Sequence, residues 1–225
     1  MSAENNVQKK IPILGFEKFN MWTPSTDGVH RARLAWSIRD GNPRLTVFTN
    51  DDNDPVENKT IQAPMDPVTF NGFIELFRKV IHSNGEVTPL RVDCLQSVRD
   101  DSGRIVDKSL QSSVVFGKNE DGIIWISVVA KDRPKIRFSF NISEWHTISR
   151  VDGNPVTKGE LSSIAANGML NVLKPLYDFF IFEAMKDQIA NPRQYSKNGN
   201  GGSKPSANKP TNTTNDDVIL EDIPY

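Results

Sequence analysis

The chain has 225 residues, 37% of them apolar and 24% charged, which is enough length and apolar content to bury a sizeable core. Lys and Arg number 27 against 28 Asp and Glu, so the total charge points to no particular partner, and a nucleic-acid surface would require local segregation of charge. The one cysteine, Cys94, excludes an intramolecular disulfide and a thiolate metal cluster, and no apolar run approaches the roughly 20 residues that span a bilayer.

The first segment, MSAENNVQKK, lacks the apolar run of a signal peptide, so a cytoplasmic protein is expected. The Asn-X-Ser/Thr triplets at Asn58, Asn141 and Asn212 then read as chance matches. ILGFEKF at 13–19 is a weak strand candidate. In VHRARLAWSIR at 29–39, His30, Ala32, Leu34, Trp36 and Ile38 alternate with Arg31, Arg33, Ser37 and Arg39. That period of two predicts a strand with one buried face. DGNP at 40–43 supplies a turn, PRLTVFTN at 43–50 the return strand of a hairpin, and KTIQA at 59–63 a further weak strand.

Asp66 is placed to cap a helix, Pro67 suits its first turn, and Phe70, Phe73, Ile74, Phe77, Val80 and Ile81 form an apolar stripe that ends at Asn84-Gly85. Four strands follow at 87–98, 104–116, 123–131 and 135–142, separated by DDSG, NEDG and DRP, with 145–151 continuing the last one around a bend. Cys94 falls in the apolar pattern VDCL and reads as a small buried side chain. A long helix is predicted from 159 to 190, kinked or divided at Pro175. Strands–helix–strands–helix favours an α+β fold of antiparallel sheets over a doubly wound parallel one. DGNP recurs at 152–155, a thin sign of internal duplication that chance explains equally well. From 191 the chain is rich in Gly, Asn, Ser, Lys and Pro, and cannot bury enough surface to offset its ordering entropy. The expected organisation is an ordered body at 1–190, a disordered linker at 191–215 and an acidic tail at 216–225.

No catalytic residue, cofactor or metal site is expected. His30, His82 and His146 belong to no spaced metal motif, and there is no phosphate loop, dinucleotide fingerprint or nucleophile elbow. The polar strand faces carry more information. PKIRFSF at 134–140 sets Lys135, Arg137 and Ser139 opposite Ile136, Phe138 and Phe140, with Lys131 and Arg133 just upstream. Arg44 and Phe48 share a face of the earlier hairpin, and Trp125 has the parity of Ser127 and Lys131. Cations track phosphates while flat rings stack on unpaired bases, at roughly 1–3 kcal/mol per stacked base. Arg31, Arg33, Arg39, Arg44, Lys131, Arg133, Lys135 and Arg137 are therefore candidate phosphate contacts, and Phe48 and Trp125 candidate stackers. Solvent faces of strands are also Lys- and Arg-rich for solubility and edge protection, and Phe48 or Trp125 could instead pack under a helix.

The tail NDDVILEDIPY brings Asp216, Asp217, Glu221 and Asp222 to an apolar tip, Ile223-Pro224-Tyr225, after a linker that carries Arg193, Lys197, Lys204 and Lys209. Such a peptide suits a basic groove with a hydrophobic pocket on a partner. Asp222, Ile223, Pro224 and Tyr225, with Glu221 before them, resemble the tail of bacterial-type single-stranded-DNA-binding proteins, which ends in acidic residues and Ile-Pro-Phe and recruits replication and repair proteins. Tyr225 stands where that family has Phe, and Val218-Ile219-Leu220 interrupts the acidic run. The order of elements in the body is similar to Whirly and PUR-type proteins. Body and tail together resemble phage-encoded single-stranded-DNA-binding proteins, including the group that serves as a transcription cofactor in phages that package their own RNA polymerase.

These resemblances imply sequence-nonspecific single-stranded-DNA binding in phage replication, recombination or transcription, in the host cytoplasm. Partners would be recruited through Asp216, Asp217 and residues 221–225. A homo-oligomer is expected, because joined bodies lengthen the binding track. The rival expectation is a protein–protein adaptor whose main task is to recruit a polymerase.

Overall fold

The computed structural model describes residues 14–15, 17–24, 31–39 and 41–190, with side chains of the last helix described to residue 186. The predicted linker at 191–215 and tail at 216–225 lie outside the described residues. Nine strands and two α-helices are described: β1 (Leu14–Gly15), a 3₁₀ turn (Glu17–Phe19), β2 (Met21–Trp22), β3 (Arg33–Arg39), β4 (Asn42–Phe48), β5 (Thr60–Pro64), α1 (Pro67–His82), β6 (Val87–Arg99), β7 (Ile105–Lys118), β8 (Ile124–Val129), β9 (Phe138–Ser139) and α2 (Lys158–Ala190). They make an α+β fold of two antiparallel sheets. The first runs β1-β3-β4-β5 with β2 also paired to β3, and the second runs β6-β7-β8-β9.

The period-two reading of the first hairpin corresponds to its burial. Leu34, Trp36 and Ile38 of β3 and Leu45 and Val47 of β4 face the core, while Arg33 and Arg39 do not. In α1 the buried residues are Phe70, Phe73, Ile74, Phe77, Val80 and Ile81, the whole predicted stripe. Its first turn is held by Asp66, which accepts hydrogen bonds from the Val68 and Thr69 amides at 2.9 and 3.0 Å. The helix ends at a Ser83 cap, where Lys118 donates to the carbonyls of Ile81 (3.0 Å) and Ser83 (2.7 Å). A cation at a helix C-terminus satisfies orphan carbonyls and opposes the negative end of the helix dipole.

The rings of α1 join the layers. Phe73 meets Trp36 of the first sheet at 6.5 Å between centroids and Phe116 of the second at 5.1 Å. Phe77 meets Phe116 and Phe140, both at 5.3 Å, and Phe70 meets Tyr177 of α2 at 4.4 Å. Tyr177 also donates to the Ser37 carbonyl at 3.1 Å, tying α2 to β3. Burial raises its phenol pKa. Cys94 is buried, and burial likewise pushes its thiol up, as expected of a packing residue.

Three expectations are corrected. The strand predicted at 135–142 shrinks to Phe138–Ser139, because Pro134 offers no amide and the Ser127 hydroxyl takes the Ile136 carbonyl at 2.6 Å. Residues 145–151 form no strand and lie exposed between β9 and α2. Pro175 does not divide α2, which is one helix from Lys158 to Ala190. Pro175 and Asn171 both lie on the exposed side, so the carbonyl that loses its helical partner faces solvent while Leu170, Leu173, Tyr177 and Ile181 continue the core side. The two DGNP motifs also differ in setting: the first closes the β3–β4 hairpin, and the second is a bend before α2. Among the described residues no helix is long and apolar enough to cross a membrane.

The start of α2 sits tightly on the β7–β8 turn. Thr157 and Glu160 cap it reciprocally: the Glu160 amide donates to Thr157 Oγ1 at 3.2 Å, and the Thr157 amide to Glu160 Oε2 at 2.9 Å. The buried Ser162 hydroxyl accepts the Ile124 amide at 2.9 Å. A Cβ on Gly159 would fall 2.4 Å from the Asp121 carbonyl oxygen and 3.0 Å from Gly122 Cα. Gly-to-Ala in a helix ordinarily stabilises by about 1 kcal/mol. Here the sign reverses, so Gly159→Ala is expected to lower the urea midpoint of unfolding, whereas Gly72→Ala in α1, whose Cβ meets nothing within 4 Å, raises it.

Candidate nucleic-acid interface

The antiparallel register of the first sheet builds one cross-strand row on its outer face. Trp22 lies opposite Arg33, Arg33 opposite Phe48, and Phe48 opposite Thr60. Directly opposed residues project to the same side of a sheet, so strand pairing alone brings two aromatic rings and a cation together. The Arg33 guanidinium carbon lies 4.1 Å from the Phe48 ring centroid and 5.6 Å from that of Trp22. Arg33 and Phe48 are half-buried, whereas Trp22 is 53% exposed and presents a free part of its ring. Two positions before Arg33, Arg31 is exposed on the same parity, about 7 Å along the strand. Its carbonyl is anchored by Asn50 Nδ2 at 2.6 Å.

The other sequence-derived candidates divide between the two sheets. Arg39 is exposed at the far end of β3, and Arg44 of β4 is half-buried and donates to the Gln62 side chain of β5. Lys131 is exposed, and Lys135 and Arg137 half-exposed, in the segment that leads into β9. Arg133 connects this segment to the first sheet. Its guanidinium donates to both carboxylate oxygens of Asp54 at 2.6 and 2.7 Å and to the Thr60 carbonyl at 3.2 Å. Thr60 is the last residue of the aromatic row, so Arg133 holds the Lys131–Lys135 segment against that row's end. Asp54 also accepts from Thr49, the residue after Phe48, at 2.6 Å.

Two candidates change role. The Arg133 side chain is only 10% exposed and committed to Asp54, so it positions its segment and does not meet phosphate. Trp125 is 3% exposed, packed with Val115 and Val129 on the outer side of the second sheet, and the Arg137 guanidinium covers its ring at 4.0 Å. A stacking platform needs a free ring face, which Trp125 lacks. Trp22 was not singled out from the sequence. Its strand is two residues long and has no period to read, and only the pairing with Arg33 puts it in the row.

An open cavity of about 660 Å³ lies elsewhere, at the start of α2, but it has no aromatic wall. Its Glu160 is bound to Arg150 and Thr157, and its Lys118 to the end of α1. Among the described residues, no three His, Cys, Asp or Glu side chains converge as a metal ion would require. No family model matches the chain, and no curated protein or solved structure is significantly similar to it.

The hydrogen bonds from Arg133 hold the Asp54 carboxyl well below its ordinary 3.8, at about 2, against the opposing effect of burial. Because the folded value is the lower one, this pair's stabilisation is present above pH 3.8 and is lost as pH falls through about 2. Asp54→Asn leaves the Arg133 charge uncompensated and should cost roughly 3–5 kcal/mol in urea unfolding at pH 7. That difference from the parent protein should shrink as the pH approaches 2.

Proposed function

We propose that this chain is a non-enzymatic, sequence-nonspecific single-stranded-DNA-binding protein. The observation that carries the reading is the Trp22–Arg33–Phe48 row, a cation between two rings with one ring open to solvent. Unpaired bases stack on Trp22 and on the outer edge of Phe48, and the phosphates between them are met by Arg31 and Arg33. Lys131 and Lys135 extend the positive track past Thr60. Ring faces accept every base, so the binding is indifferent to sequence. A duplex keeps its bases stacked on one another, so it gains the phosphate contacts alone. The acidic tail at 216–225 is reserved for a replication or transcription protein, with Ile223, Pro224 and Tyr225 as its apolar anchor.

Anisotropy titration of labelled oligonucleotides at two salt concentrations tests the reading. Single strands are expected to bind more tightly than duplex of the same length, and more weakly as salt rises. Trp22→Ala should weaken single-strand binding about 10- to 100-fold, the loss of one stacked base. Arg33→Ala should also flatten the salt dependence by about 0.7 in log–log slope. A parent protein without a salt-sensitive preference for single strands sinks the proposal and leaves the adaptor reading in its place. Removal of 216–225 should leave DNA binding intact or tighter while abolishing capture of the partner; weaker DNA binding would contradict this division of labour.

A further inference from the structure

The second half of α2 is apolar on both sides. Leu170, Leu173, Tyr177 and Ile181 fill the core face, yet Val172, Phe179 and Phe182 form a second stripe on the far side, with Phe179 57% and Phe182 63% exposed. At 100° per residue these three, together with Pro175, lie within one face. A surface helix ordinarily turns charged residues outward, and a helix apolar all round is a buried one. Two exposed phenylalanines in consecutive turns therefore mark a face that another surface covers.

We infer that the occupant is the same face of a second copy, paired antiparallel about a two-fold axis close to Pro175. The argument is self-complementarity, which a two-fold contact demands because each residue meets its counterpart's neighbourhood twice. In a pairing centred on Pro175 and Leu176, Val172 of one copy faces Phe179 of the other, and Phe179 faces Val172. The charges on the flank obey the same register. Lys174 and Asp178, already bound to each other at 2.7 Å, fall opposite Asp178 and Lys174 of the partner copy. Apolar thus meets apolar and cation meets anion in one arrangement. The joined bodies carry two Trp22–Arg33–Phe48 rows. The inference does not depend on what those rows bind.

Sedimentation equilibrium of the full chain gives the first test, with a dimer expected for the parent protein and a monomer for Phe179→Glu/Phe182→Glu. Both side chains are exposed in the single copy, so the variant should keep the parent's far-UV circular dichroism. A parent protein that stays monomeric at all concentrations overturns the inference, and means that the face is covered within one chain or by a different partner. A dimer that persists in the double variant overturns it as well. Single-cysteine cross-linking tests the register without altering the phenylalanines. Pro175→Cys lies next to the axis and should form a disulfide-linked dimer. Ile164→Cys is separated from its counterpart by roughly 36 Å along the paired helices and should not. Equal cross-linking at both positions, or linkage at 164 alone, excludes the antiparallel pairing.

Discussion

The packing of α1 against everything else is the constraint on which this molecule rests. Phe70, Phe73 and Phe77 occupy one helical face, and between them they touch Trp36 of the first sheet, Phe116 and Phe140 of the second sheet region, and Tyr177 of α2. Each aromatic side chain buries a large area, and edge-to-face contacts such as Phe77 on Phe116 add roughly 0.5–1.5 kcal/mol per pair. Each sheet has one apolar face, and both turn it to this helix. Their opposite faces are therefore directed outward, and that is where the Trp22–Arg33–Phe48 row stands.

A second tie, small in extent, sets how the outer surface is continued. Asp54 and Arg133 lie 79 residues apart, and their paired hydrogen bonds join the loop after β4 to the loop after β8. Buried ion pairs of this kind contribute little net stability relative to apolar packing, but breaking one is costly. Its consequence is positional, because the segment with Lys131 and Lys135 is held next to β5. The same exchange of roles occurs at Trp125, whose ring is used as a floor for Arg137. Nearly all the cations and rings on the polar strand faces are engaged in some contact, and Trp22 stands out for its open ring.

Much of the architecture was legible in the sequence, for local reasons. The alternation in VHRARLAWSIR and PRLTVF defined which side of the first hairpin is buried, since successive strand side chains point to opposite faces. The α1 stripe and its Asp66-Pro67 start could be read residue by residue, because capping and the 3.6-residue repeat are properties of a few neighbouring positions. The extent of α2 followed from the same repeat. Errors arose where a distant group competed with the local pattern. Ser127 captured the carbonyl that would have lengthened β9, and the solvent-facing setting of Pro175 let α2 run on unbroken.

The site was legible in part. Arg31, Arg33 and Phe48 have the right parity and do share one face of the first sheet. The same parity argument nominated Trp125 and Arg133, which are buried. Parity tells which side of a strand a residue occupies, and says nothing about whether a chain segment from elsewhere lies over that side. The amino-acid sequence by itself determined the elements, their apolar faces and the separation of basic strands from an acidic tail, because each depends on near neighbours. Tertiary structure decided which cations and rings are left facing solvent, because that depends on contacts such as Asp54–Arg133 between residues far apart in the chain.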